Sequence, residues 1–449
     1  MRPLSSESMV FSINELSSIS DKQGSKPTLV EDRIYKFVEH NKLLNESQYG
    51  FRKGRSTNLA LLKVVNDIME ATDRKDTTIG VFVDLRKAFD TLNHDILVNK
   101  LHHLGIRGTA NLWLRSYLSN RKQFVKIGSS ESDHRTVKHG VPQGGILSPL
   151  LFLIYINDIV NVSRLINFAL FADDTTVTKS GNDVTQLCQE VSRELSKLQV
   201  WFNINRLSLN VTKTNFMVFG KARTVVNPHV SINGLVIQRV SHTKFLGVLL
   251  DDKLRWNEQI KHVSGKIAKA SAILFKVKDV LDIMSMKLIY FAIVHSHLNY
   301  CVEVWANTYE SNLQCIVVLQ KRCIRTVCKV DYRAHTDQLF ANLKVLKFND
   351  IVRLMSLLVM HKAYYCQLPV QLQNRFIIGN LKYNIITRQA NKFRIAYSRT
   401  TSRYQGVVVK GPKLWNSLPP GISCIDQLDR FRTRLKLFLT SGYNTASTL

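Results

Sequence analysis

Phe171-Ala172-Asp173-Asp174 constrains this chain more than any other segment. Two adjacent carboxylates stand between an apolar run (Ile166, Phe168, Leu170, Phe171) and a run of β-formers (Thr175, Thr176, Val177, Thr178). That order reads as strand, turn and strand, with both acids at the turn and aimed at one place. Carboxylates held side by side at a partly dry tip repel each other, and a divalent cation is the usual physical reason to keep them there. Most Asp-Asp pairs are solvated turns, but this one has company. Val83-Asp84-Leu85 ends an earlier apolar strand, and Gly140-Val-Pro-Gln-Gly-Gly-Ile-Leu-Ser-Pro149 lies between the two.

The chain has 449 residues, 45% of them hydrophobic, enough for two or more packed units. Its net charge of +28 is far from that of an enzyme of small metabolites. The excess is uneven. Between Ile351 and Ile425 there is no Asp or Glu, while Arg353, Lys362, Arg375, Lys382, Arg388, Lys392, Arg394, Arg399, Arg403, Lys410 and Lys413 all fall there. Tyr364, Tyr365, Tyr383, Phe393, Tyr397, Tyr404 and Trp415 are interleaved with them. Unopposed charge mixed with stacking rings suits a nucleic acid better than a membrane or an acidic metabolite. The start lacks the order of a signal peptide, and no apolar run reaches spanning length, so no membrane partner is expected. The seven cysteines are irregularly spaced and read as reduced core residues of an intracellular protein.

Periodicity predicts helices over Val30–Leu44, Asn58–Thr72 and Asp183–Asn203, and a helix entered through Ser148-Pro149. Thr78–Leu85 and Thr214–Phe219 read as strands, and Phe124–Gly128 with Asp133–Lys138 as a hairpin. Lys244–Leu250 ends the strand-bearing part. A basic helix is expected from Leu254, with Asp251-Asp252 as its cap, and mainly helical structure beyond Met284. The stretch from Gly379 to Pro420 reads as irregular. Strands mixed with helices, then a helical basic half, indicate an α+β core with helical appendages. His295, His297 and Cys301 invite a metal reading, but core packing is favoured.

One Asp on one strand and a pair on a neighbouring hairpin meet the needs of phosphodiester synthesis. There, two Mg²⁺ ions about 4 Å apart serve the attacking and leaving oxygens, and carboxylates plus substrate phosphates suffice to hold them. In these residues the sequence resembles the reverse transcriptase of jockey-like non-LTR (LINE-type) retrotransposons. The resemblance rests on Gln48-Tyr-Gly-Phe-Arg-Lys-Gly-Arg-Ser-Thr57, Val83-Asp-Leu-Arg-Lys-Ala-Phe-Asp90, the Gly140–Pro149 segment and Phe171–Asp174. Leu209-Asn-Val-Thr-Lys-Thr214 and Phe245-Leu-Gly-Val248 follow in the family's order. Later segments, including Gly411-Pro-Lys-Leu-Trp-Asn-Ser-Leu-Pro419, extend it over about residues 31 to 440.

The resemblance implies a right-hand polymerase: an unassigned leader at 1–30, fingers and palm at 31–250, thumb at 251–330 and a basic nucleic-acid-binding region at 331–449. It implies Asp84, Asp173 and Asp174 as catalytic metal ligands for two Mg²⁺ ions, with Mn²⁺ as a substitute. Phe89 matches a steric gate against a ribose 2′-hydroxyl. Gln143 and Gly144 lie where backbone approaches nucleotide and template, and Lys213 lies near the triphosphate. Arg52, Lys53 and Arg55 are expected as fingers contacts, and Phe245, Leu246 and Gly247 as the primer grip. The partners implied are an RNA template, a DNA primer and deoxynucleoside triphosphates, in the nucleus or cytoplasm. The endonuclease carried by such elements is absent from this sequence, which therefore reads as 5′-truncated. The competing reading is a catalytically silent nucleic-acid-binding remnant or co-opted protein.

Overall fold

A computed structural model describes residues 26–220, 229–379 and 392–443. Residues 1–25 of the expected 1–30 leader, with Lys382, Tyr383 and Arg388, lie outside the described residues, while 26–30 already belong to the first helix.

The expected α+β architecture is present. Its centre is a five-stranded sheet made of β1 (Thr77–Val83), β2 (Asn167–Phe171), β3 (Asp174–Gly181), β4 (Asn215–Phe219) and β5 (Gln238–Arg239). The order is β5-β4-β1-β3-β2, antiparallel throughout except for the short β4–β5 pair. All seven residues of β1 are buried, as a central strand covered on both faces requires. Alternation divides its side chains. Ile79, Val81 and Val83 face one hydrophobic core, together with helices α3 (Leu147–Ile156) and α4 (Val184–Ile204). Phe82 faces the other, with helix α2 (Thr57–Asp73). Helix α1 (Lys26–His40) packs with the first core through Ile34 and Val38.

The second core is continuous beyond the sheet. It runs through α5 (Asn257–Val277), α6 (Glu310–Val327) and α7 (Phe348–Tyr364) to Phe431 and Tyr443. The C-terminal region is therefore packed into the same body as the sheet.

Several local expectations change. Ser148 does not cap α3; it sits inside the first turn, and its hydroxyl donates to Pro142 O at 2.5 Å, closing the preceding loop. Helix α5 begins at Asn257, not Leu254, because Leu254 and Trp256 adopt positive φ. The Asp251 carboxylate accepts the backbone N–H groups of Lys253, Arg255 and Trp256, so it shapes the loop before the helix. Lys244–Leu250 is a hairpin, His242–Phe245 against Val248–Asp251, rather than one strand. Among its described residues the Gly379–Pro420 stretch holds the helices Thr401–Gln405 and Val407–Asn416; Pro412 hid a helical apolar pattern of Val407, Val408, Gly411 and Trp415. Cys188, Cys301 and Cys323 are buried as expected, but Cys315, Cys366 and Cys424 are exposed.

Candidate active site

The acidic hairpin forms as its pattern demands. Phe171 pairs with Asp174, leaving Ala172 and Asp173 as the turn, and Ala172 takes a positive φ of 54°. On its other side β3 pairs with β1, and the last register pair is Val83 with Thr175. Asp84 follows Val83 directly and Asp174 precedes Thr175, so the two acids leave the same end of the paired strands, near enough for the Asp84 charge to act on Asp174. Two strand ends thus deliver three carboxylates to one edge of the sheet.

Asp84 is fixed by a loop. Asn210 Nδ2 donates to Asp84 Oδ2 at 2.7 Å, and the Asn210 N–H donates to the Asp84 carbonyl at 2.8 Å. The Asp84 N–H in turn donates to Thr214 Oγ1 at 3.3 Å. Asn210 is itself buried and folds the loop over its carbonyl, which accepts from Thr214 Oγ1 at 2.9 Å. Sequence reasoning passed over Asn210 in favour of its neighbour Lys213. The available signal was an amide placed directly after the Ser208–Leu209 strand, which pairs with Leu85–Arg86. Lys213 is exposed beside this loop.

The electrostatics of the edge are strained. Asp174 is exposed at the hairpin, yet partial loss of hydration, then the charges of Asp173 and Asp84, push its carboxyl up to about 6. That repulsion is what a divalent cation relieves, and a set of carboxylate oxygens is the donor chemistry that Mg²⁺ takes. Among the described residues, no three His, Cys, Asp or Glu side chains already converge as a metal cage. An open acidic edge fits an ion that keeps several waters and completes its shell with substrate phosphates. His295, held down to about 4 by burial and then by the charge of Lys436, belongs to no such cluster either.

Phe89 and Gln143 lie on two segments that are bonded to each other. The Phe89 ring stacks on Phe152 of α3 with centroids 4.3 Å apart, and the Phe89 carbonyl accepts the Val141 N–H at 3.0 Å. Gln143 Nε2 donates to Asp90 Oδ1 at 2.7 Å, tying the Gly140–Gly145 loop to the Asp84 segment. Gly140 has to be glycine, because a Cβ there would stand 2.7 Å from the Asp90 carbonyl oxygen. Gly144 has a positive φ and open space around it.

The basic fingers residues divide. Arg52 is buried and paired with Glu39 (Nε–Oε1 2.7 Å, Nη2–Oε2 2.9 Å). Arg55 pairs with Glu46 at 2.6 Å and lies over the Tyr49 ring. Both guanidiniums are spent inside the fold, contrary to the expected contacts with phosphate or template; only Lys53 of the three is exposed. The turn Leu246-Gly247 has positive φ at both positions. Phe245 is buried with its ring 5.5 Å from Phe82 of β1, and Tyr300 OH donates to Leu246 O at 2.7 Å. That hairpin is thus tied both to the strand bearing Asp84 and to the helical region.

The C-terminal basic stretch is also partly internal. Arg375 pairs with Asp67 and Glu70 of α2, and Arg403 with Asp73 at 2.9 Å. Tyr364, Phe393 and Trp415 interlock with His361 and Phe431 instead of offering open rings. The reason is amphipathic helix packing: apolar rings bury more area against each other than against solvent. Tyr397 and Tyr404 do remain exposed.

The chain is similar to known proteins. The profile of the family described as reverse transcriptase (RNA-dependent DNA polymerase) matches residues 26–250. A probable RNA-directed DNA polymerase from transposon BS of Drosophila melanogaster is 27% identical over 315 residues, covering 68% of this chain and 35% of that protein. The RNA-directed DNA polymerase from mobile element jockey of the same species is 27% identical over 333 residues, covering 72% and 36%. The chain spans about a third of the length of these relatives. Among solved structures, apo telomerase from Candida tropicalis is similar at 13% identity and a TM-score of 0.40, over 71% of this chain and 53% of that one. With half of its length matched, from the first described helix to the end of the hairpin before α5, the chain belongs to the reverse transcriptase family.

Proposed function

We propose that this chain is the RNA-directed DNA polymerase of a jockey-like non-LTR retrotransposon. It copies an RNA template into cDNA from a DNA primer and deoxynucleoside triphosphates. The observation that carries this is the placing of Asp84, Asp173 and Asp174 at one end of adjoining strands, where the charges of Asp173 and Asp84 add to the rise of the Asp174 carboxyl. Two Mg²⁺ ions, or Mn²⁺, would be held by these three carboxylates and would supply charge neutralisation at the attacking hydroxyl and the triphosphate. Asn210 orients the Asp84 carboxylate. Phe89, kept in place by Phe152, excludes a ribose 2′-hydroxyl, and Gln143 with Gly144 lines the approach of nucleotide and template. Lys213 lies exposed near the triphosphate side. The Phe245–Gly247 turn, fixed by Phe82 and Tyr300, grips the primer end.

In this reading residues 31–250 are fingers and palm, 251–330 the thumb, and 331–449 a basic region that adds nucleic-acid contacts through its outward-facing residues. An element-encoded endonuclease acting with it, in the nucleus or cytoplasm, completes the proposal. Among the described residues no helix is long and apolar enough to cross a membrane.

Primer extension on an RNA template tests it. Wild type should make metal-dependent cDNA, and the double variant Asp173→Ala, Asp174→Ala should make none. Wild-type synthesis no greater than that of the double variant would leave only the silent nucleic-acid-binding protein.

A further inference from the structure

Arg52, Lys53 and Arg55 of the Gln48–Thr57 motif were expected to contact phosphate or template; the first residues of that motif turn inward onto the acidic hairpin. Gln48 lies in parallel register beside Leu170 of β2. The Leu170 N–H donates to Ser47 O at 2.8 Å, and the Tyr49 N–H donates to Leu170 O at 2.8 Å. The Gln48 side chain then reaches past the strand to the turn. Its Oε1 accepts the N–H of Gly50 at 2.8 Å and the N–H of Ala172 at 3.1 Å.

Ala172 is the turn residue that precedes Asp173, and it holds a left-handed φ that a residue with a Cβ adopts reluctantly. Such a conformation persists only where neighbours impose it. Gly50 supplies the other half of that imposition: a Cβ there would stand 2.4 Å from Ala172 N and 3.0 Å from Phe171 C. Gln48 is 2% exposed, so water cannot replace its oxygen at the turn. Behind it, Tyr49 is 1% exposed and lies under the Arg55 guanidinium, so the segment cannot swing away.

We propose that Gln48, with Gly50, is a positioning residue for catalysis: its carboxamide oxygen holds the Ala172-Asp173 turn in the form that presents Asp173. This rests on the polymerase reading above.

The test uses the whole chain with two variants: Gln48→Leu, which keeps the bulk and removes the acceptor, and Gly50→Ala. Steady-state primer extension and RNA affinity are measured beside amide hydrogen exchange. In Gln48→Leu and Gly50→Ala, kcat should fall at least about tenfold, the worth of a lost buried hydrogen bond, with deoxynucleotide KM and RNA affinity within about twofold of wild type. The Ala172 amide should lose protection while the amides of β1 keep theirs.

An unchanged kcat in both Gln48→Leu and Gly50→Ala overturns the proposal. So does a Gln48→Leu variant whose β1 amides open together with Ala172, since that is ordinary core support. Should the wild-type chain make no cDNA, the polymerase reading fails by itself, and Ala172 exchange still decides whether Gln48 holds the turn.

Discussion

Asn210 Nδ2 donates to Asp84 Oδ2 at 2.7 Å, and the same residue's N–H is bonded to the Asp84 carbonyl. A candidate metal ligand is thus gripped at both ends by one amide residue from a loop far along the chain. A hydrogen bond to a charged group contributes about 1.5–3 kcal/mol, so Asn210→Leu should lower kcat by roughly 10- to 100-fold. RNA affinity should hardly change. Steady-state primer extension beside a filter-binding titration separates the two quantities, and equal losses in both would point to misfolding.

Asp174 gives a pH prediction with a definite sign. Its folded value of about 6 lies above its ordinary 3.8, so between these pH values the folded state binds more protons than the unfolded chain. In chelator, this group's contribution therefore lowers stability as pH rises through that window. Asp174→Asn should melt higher than wild type above about pH 6 and converge with it below about pH 4. Mg²⁺ should raise the wild-type melting temperature above pH 6 and leave the variant nearly unmoved. Polymerisation should rise with pH across the same window, because the acid form of Asp174 cannot share a cation.

Phe89 stacks on Phe152, so the proposed gate ring has a backstop. Phe89→Val should let ribonucleotides in, cutting the preference for deoxynucleotides by about 10- to 100-fold, the usual worth of a small steric difference. Phe152→Leu should give a smaller loss of the same kind. Competition between the two triphosphates during extension reads both effects directly.

Asp73 accepts the N–H groups of Arg399 and Thr400, the Thr400 hydroxyl and the Arg403 guanidinium. Its side chain is 7% exposed. Asp73→Ala removes the acceptor from donors that are only partly shielded from water and should cost about 1.5–3 kcal/mol of stability. The salt dependence of RNA binding should hardly change, because Arg403 is already paired with Asp73 and the Arg399 guanidinium donates to the Thr72 and Asp73 carbonyls. Thermal melts and a salt series of binding curves check the two halves.

How far the chain was legible can be seen at particular residues. Asp84, Asp173 and Asp174 were readable because strand patterning and turn chemistry are local, and they place the acids at strand ends without any knowledge of the rest. The basic residues misled. Arg52, Arg55, Arg375 and Arg403 look alike in one dimension to any phosphate-binding arginine, yet each has found a carboxylate inside the fold. Glu39 and Asp67 gave no sign in the sequence that they were the partners. Trp415 and Phe393 misled in the same way, because interleaving with charge does not tell a buried ring from an exposed one.

The sequence by itself determined the kind of chemistry: acids at two strand ends, a glycine-rich loop between them, and the alternation that builds a central buried strand. These follow from periods of two and 3.6 residues and from turn preferences, which act over a few neighbours. Only the tertiary structure decided which groups hold those acids in place. Asn210 reaches Asp84 across 126 positions of chain and Gln48 reaches Ala172 across 124. Such contacts form because packing of the sheet removes water from the amides, leaving each buried donor and acceptor to find a partner wherever the fold brings one.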